Sequence, residues 1–282
     1  MKSNIQRERT TDCTSMQVCD EPKMIVKEKI ENAGATANLC SVNILGVRVH
    51  LVTMKKTLAL LETMAKSGKS HHVVTVNTEF IMTAQQNELF REVLNNASLA
   101  LPDGIGIVWA ASLLGQPMAE RVPGVDVVEQ FSAVAQRHQL RVFFLGAAPG
   151  VAETVAQRMQ EKYPGFIVAG TYSGSPHLNE EAEIYKRIEE AAPHALFVAY
   201  GSPQQDLWIA RNLPRLKVPI AMGVGGTFDF IAGIAIRAPL WIRNMNLEWL
   251  HRVIYQPWRW RRALAHPRFA LAVVWSRIKM HL

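Results

Sequence analysis

Cysteine is scarce: Cys13, Cys19 and Cys40 are the only three, all within the first forty residues. An odd count outside the apolar body supplies no disulfide framework, and without partner His or Cys ligands it supplies no zinc site. Long apolar runs are missing too. A membrane span needs about 20 consecutive apolar residues, and long uncharged stretches such as Gly104 to Ala119 are interrupted, here by Ser112, Gly115, Gln116 and Pro117. No apolar stretch backs the charged start MKSNIQRERTTDCTS, so no secretory signal is expected and the protein reads as cytoplasmic. Glycine (17) and proline (14) are ordinary in number and no repeat is visible, which excludes collagen-like, mucin-like and coiled-coil chains.

What remains is the composition of a foldable globular protein, 49% hydrophobic and 20% charged over 282 residues. That length suits one large α/β domain or two small ones. The net charge of +7 is unevenly placed: residues 237–282 hold nine Lys or Arg and one acid, Glu248, whereas the rest of the chain is close to neutral. Five of the seven tryptophans, Trp241, Trp249, Trp258, Trp260 and Trp275, fall in the same segment.

Residues 1–40 are polar with no sustained periodicity and are read as a disordered or variable leader. From residue 41 to 236, short apolar runs alternate with amphipathic stretches of helical length. Val42 to Val49 predicts a strand or a small hairpin turning near Gly46. Further strands are expected at His72–Val76, Arg141–Leu145, Phe166–Tyr172, Ala195–Tyr200 and Pro219–Val224. One helix is expected through Met82, Leu89 and Leu94, and Pro257 and Pro267 should break the tail into two or three helices. Strand–glycine–helix units in series imply an α/β protein, a Rossmann-like parallel sheet with helices on both faces, followed by a basic helical C-terminal appendage at 237–282. Ligands of such sheets bind at the carboxyl ends of the strands.

Chemistry is therefore sought just after each strand. Asp103 in Leu101-Pro102-Asp103-Gly104-Ile105-Gly106 could cap the next helix, hold a metal or act as a general base. Arg121 in Glu120-Arg121-Val122-Pro123-Gly124-Val125-Asp126 reads either as a surface or capping arginine or as a fork for phosphate. The turn Gly146-Ala147-Ala148-Pro149-Gly150 suits close approach of a phosphate but is neither a dinucleotide fingerprint nor a P-loop. No Asp-x-Asp pair of the kind that holds a divalent ion with a sugar nucleotide is present, so no metal and no cofactor is expected. In the tail, Trp258, Trp260, Phe269 and Trp275 beside Arg259, Arg261, Arg262 and Lys279 fit an interfacial helix on an anionic bilayer. The apolar run Phe269 to Trp275 favours lipid over nucleic acid, and packing against the body is the plain alternative.

Taken in order, the motifs resemble the WecG/TagA/CpsF glycosyltransferases. The series is Thr75-x-Asn77, Asp103-Gly104-Ile105-Gly106, Glu120 to Asp126, Phe144-Leu145-Gly146, Gly201-x-Pro203-x-Gln205-Asp206-x-Trp208, Gly223 to Asp229, Arg237-Ala238-Pro239 and Leu247 to Arg252. The resemblance implies a UDP-sugar donor, a polyprenyl-diphosphate-linked saccharide as acceptor and inversion at the anomeric carbon. It also implies independence of metal, and an appendage that joins the inner face of the cell membrane and completes the site. It places Asp103 as the base, implicates Thr75, Arg121 and Gln205 in the site, and puts Arg252 on the diphosphate. Candidate substrate-binding residues are Asn77, Gly104, Gly146, Ala147, Gly150, Tyr172, Gly201, Gly225, Gly226, Thr227 and Asp229, with backbone N–H groups of the Gly146–Gly150 and Gly225–Thr227 turns as anion donors. This sequence has Gln204-Gln205-Asp206 where Lys-Gln-Glu is commoner. The rival readings are a nicotinamide-dependent oxidoreductase and a nucleic-acid-binding module. The first lacks its fingerprint and has Gly170-Thr171-Tyr172 where an acidic ribose ligand belongs. A homo-oligomer is left open.

Overall fold

In the computed structural model the described residues are 39–257 and 260–279. Nearly all of the leader expected at 1–40, with Cys13 and Cys19, lies outside them, as do Trp258 and Arg259. Cys40 is exposed and free.

The first apolar alternation turns back on itself. Strands β1 (Ser41–Ile44) and β2 (Val47–His50) pair antiparallel, and Leu45 and Gly46 between them both have positive φ, 51° and 84°. Such a two-residue turn matches the twist of its flanking strands. Next come α1 (Met54–Ala65), β3 (His71–Val76), α2 (Thr78–Ala84), α3 (Glu88–Asn96), β4 (Leu99–Pro102) and α4 (Ile105–Leu113). The single helix expected through Leu94 is thus two. Asn87 interrupts it because its side chain accepts a hydrogen bond from Phe90 N at 3.0 Å and starts a new helix there. The chain continues through α5 (Gly124–Arg137), β5 (Arg141–Gly146), α6 (Val151–Lys162), β6 (Ile167–Tyr172), α7 (Glu181–Ala191), β7 (Ala195–Ala199), α8 (Gln204–Leu216), β8 (Ile220–Gly223) and α9 (Thr227–Ile231).

Six of these strands form one sheet in the order β4-β3-β8-β7-β5-β6, parallel at every pairing. Side chains alternate between its faces. Val73, Leu101, Phe144, Phe197 and Met222 meet Leu61, Phe131, Val155 and Phe228 of α1, α5, α6 and α9. On the other face, Val74, Val76 and Ala100 meet Phe80, Phe90 and Ile107, while Leu145, Val198 and Ala221 meet Ile188, Trp208 and Ile209. Burial on both faces explains why these strands read as continuous apolar runs rather than alternating ones.

The C-terminal segment forms α10 (Leu240–Asn244), α11 (Glu248–Tyr255), α12 (Trp260–Ala263) and α13 (Ala265–Lys279). The break into two or three helices expected at Pro257 and Pro267 is present: α11 ends ahead of Pro257, and Pro267 sits in the first turn of α13, where no backbone N–H partner is lost. The apolar run expected to face lipid is divided. Phe269 and Val273 are fully buried among Phe80, Ile81 and Ile107, whereas Leu271, Val274, Trp275 and Ile278 on the opposite side are exposed. Phe269→Ala is expected to cost about 3–5 kcal/mol, read as a lowered Tm. An unchanged Tm would mean that α13 contributes nothing to the core. Among the described residues no helix is long and apolar enough to cross a membrane.

Candidate active site

The carboxyl ends of β3, β4, β5, β7 and β8 open into one cleft of about 760 Å³, closed from the far side by α11, α12 and α13. Asn77, at the end of β3, accepts from Phe80 N at 3.0 Å and caps α2. Thr75, one turn of the pleat earlier, donates to the Gly223 carbonyl on β8 at 3.3 Å. Gly104 carries φ +148°, a conformation that L side chains rarely adopt, so the chain turns from β4 into α4 through a residue only glycine fits well. No side chain caps α4, which removes the capping role considered for Asp103 there.

Asp103 lies on the cleft floor with limited exposure. Burial, and next the Glu248 carboxylate, raise its pKa to about 7; Arg121, Arg252 and the Gly124 N–H oppose that rise. A carboxyl poised near neutrality can take a proton and give it up again. Arg121 lines the cleft and donates through Nη1 to Glu248 Oε2 at 2.9 Å. The other Glu248 oxygen accepts from Arg237 Nε at 3.2 Å, and Arg237 grips Asp126 of α5 with both terminal nitrogens, at 2.7 and 2.9 Å. Arg252, four residues along α11 from Glu248, stands 4.8 Å over the Phe230 ring. Its Nε is buried without a partner, and burial holds its pKa below the usual arginine range.

Gln205 is buried, and its Oε1 accepts the Gly225 N–H at 2.8 Å. A Cβ on Gly223 would come within 2.5 Å of Gln205 Nε2 and Asp206 Oδ1, so that glycine admits both side chains against the strand end. The N–H of Thr227 bonds Val224 O, so the expected anion donors of this turn are in part already committed within the protein. Ala147, Gly201, Gly226 and Asp229 complete the expected residues in the cleft lining.

Three expected residues do not line it. Gly146 packs against β7, where a Cβ would meet the Ala199 backbone at 2.9 Å. Gly150 begins α6 in open space. Tyr172 lies under the Arg187 guanidinium, 4.4 Å from its ring centre. Conversely, Glu248, Arg237, Trp109, Trp249, Phe230 and His266 line the cleft although the sequence did not mark them as site residues. His266 bonds Thr78 Oγ1 at 2.9 Å and lies 4.9 Å from the Trp249 ring. Glu248 was visible as the one acid in a basic segment, and that isolation was its signal.

A parallel sheet whose strand ends, from both halves of the chain, surround a basic and acidic cleft defines an α/β enzyme with its site at the carboxyl edge. The model of the glycosyl transferase WecG/TagA/CpsF family matches residues 42–281, and the chain belongs to that family. It is similar to proteins named N-acetylglucosaminyldiphosphoundecaprenol N-acetyl-beta-D-mannosaminyltransferase. With that of Bacillus spizizenii it is 34% identical over 212 residues, 75% of this chain and 82% of the relative. With that of Staphylococcus aureus strain MRSA252 it is 31% identical over 246 residues, 86% of this chain and 96% of the relative.

Proposed function

We propose that this glycosyltransferase moves a hexose, of N-acetylmannosamine type or another, from a UDP-sugar to a polyprenyl-diphosphate-linked saccharide, with inversion, in cell-surface polysaccharide synthesis. The names of its relatives support the acceptor class and a sugar of N-acetylmannosamine type. The observation that carries the mechanism is Asp103, a carboxyl with a pKa near neutrality that lines the same cleft as Arg121 and Arg252. An acceptor hydroxyl is a weak nucleophile at neutral pH, and Asp103 takes its proton as the oxygen attacks the anomeric carbon. Such assistance is worth about 100- to 10,000-fold. The bond to the departing diphosphate breaks as charge collects on it. Arg121, Arg252 and Arg262, all in the cleft lining, offset that charge. Thr75 and Gln205 shape the strand ends around the sugar, and the sheet supports a Rossmann-like reading of the fold.

A panel of UDP-sugars with a lipid-diphosphate-linked acceptor, read by mass spectrometry, should give a product heavier by one sugar. Activity should survive EDTA, since arginines supply the charge; loss restored by manganese or magnesium would assign the leaving group to a cation instead. No product from any UDP-sugar, with thermal stabilisation by NAD alone, would overturn the reading.

The appendage at 237–282 is proposed as a peripheral anchor on the cytoplasmic membrane face. Exposed Trp241, Trp260, Leu271, Trp275 and Ile278 beside Arg268, Arg277 and Lys279 support it. Each cation near an anionic surface contributes about 1 kcal/mol before screening. Changing Arg268, Arg277 and Lys279 to Gln should weaken sedimentation with anionic vesicles several-fold while sparing turnover on a water-soluble acceptor analogue. Unchanged sedimentation would remove the anchor from α13.

A further inference from the structure

Two cations line the same cleft as Asp103 and act on its carboxyl, Arg121 from the segment ahead of α5 and Arg252 from α11. A carboxylate so placed ordinarily closes onto the nearer guanidinium, and an ion-paired carboxylate is a poor base because the pair favours its charged form. Yet among the described residues Asp103 stands in no ion pair. Arg121 gives its hydrogen bond to Glu248 instead, at 2.9 Å. Glu248 is well held for this: its second oxygen is on Arg237, and Arg237 is fixed on Asp126 by a two-pronged contact at 2.7 and 2.9 Å. The four charges alternate in sign and anchor on α5, so the grip on Arg121 is set by the scaffold.

We infer that Glu248 is a positioning residue that draws Arg121 away from Asp103 and so keeps the Asp103 carboxylate free of an ion pair. The inference rests on the reading of Asp103 as the base, but its geometry stands apart from it. Helix α11 thereby brings both signs into the cleft from one face: Glu248 to occupy Arg121, and Arg252 four residues later to remain with Phe230 and the Gly226 turn. The other charged groups around the floor have their own places. Glu79 of α2 pairs with Arg262 of α12 at 3.4 Å, Asp229 of α9 lies beside Gly226, and burial keeps His266 of α13 toward its neutral form. The raised Asp103 pKa, to which Glu248 contributes second after burial, agrees with this arrangement.

The test is a titration of the Asp103 carboxyl by carbon-detected NMR in the unliganded full-length protein, with its resonance assigned by its loss in Asp103→Asn. In Glu248→Gln, Arg121 is released onto Asp103, and the midpoint should fall by at least one pH unit. In an Arg121→Gln background the same change should move it by less than half a unit, because only the direct repulsion is then lost. Equal falls in both backgrounds, or no fall in either, would overturn the inference. Should Glu248→Gln fail to fold, Glu248→Asp retracts the carboxylate by one methylene while keeping its charge; a fall supports the inference and an unmoved midpoint overturns it. With a working transfer assay, the acid limb of kcat/KM should follow the same shifts, with plateau turnover about 10-fold lower in Glu248→Gln. Absence of glycosyl transfer by the wild type would defeat the functional reading, yet leave the NMR comparison intact.

Discussion

Replacing Asp103 by Asn is expected to lower turnover by at least about 100-fold and, at the same time, to stabilise the folded chain above neutral pH. Both effects come from one cause. The carboxyl has an ordinary pKa of 3.8 and is raised to about 7 in the folded protein, chiefly by burial. Folding therefore takes up a proton between about pH 4 and 7. The stability this group contributes is fully present below that window and is lost as pH rises through 7. A shift of this size corresponds to roughly 2 to 4 kcal/mol. Asparagine is neutral throughout, so the Tm difference between variant and wild type should be small below about pH 4, grow through the window and reach several degrees at pH 8. Melting curves at the two pH values, beside turnover at pH 8, check both halves. Wild-type turnover in the variant would leave Asp103 without a part in the chemistry.

Arg252→Gln should cost about 100- to 1,000-fold in kcat, the usual effect of removing one donor aimed at developing charge. Lysine should rescue little, because a point charge does not reproduce a planar fork. A second route to the same guanidinium tests whether its place, and not merely its charge, matters. Gly226 has φ −75°, which alanine accepts, but its Cβ would lie 2.6 Å from Arg252 Nη2. Gly226→Ala should thus keep the Tm and push Arg252 aside, reducing kcat about 10-fold. Full activity in Arg252→Gln would leave Arg252 without a part in the chemistry.

Much of this arrangement could be read from the chain because parallel sheets repeat one grammar. Strands ending at Val76, Pro102, Gly146, Ala199 and Gly223 each close a short apolar run, and the residues just beyond them, Asn77, Asp103, Ala147, Gly201 and Gly225, meet in the cleft. What failed did so for local reasons. A short asparagine side chain at residue 87 outweighs a helical period that continues across it. The prolines of the tail, by contrast, did mark its breaks: α11 ends ahead of Pro257, and α12 ends ahead of Pro267 in the first turn of α13. Gly146 is small for the sake of the neighbouring strand, and nothing in the sequence separates that need from closeness to a ligand. Tyr172 ends a strand like the others, but β6 is the outermost on its side, away from the cleft. The partnership of Arg121, Glu248, Arg237 and Asp126 spans residues 121 to 248, and no spacing rule reaches that far.

The position of β8 bears on how the chain is made. Within the sheet, the β4-β3 pair and the β7-β5-β6 trio touch only through this four-residue strand. Thr75 on β3 and Gly223 on β8, now hydrogen-bonded, are 148 residues apart. A ribosome adding about 5–20 residues per second needs roughly 7 to 30 s to cover that distance. During that interval the inner edge of β3, with its row of valines, has no neighbour, and such open edges template association between chains. The nascent chain therefore carries an unpaired strand edge for seconds before the strand that covers it is made.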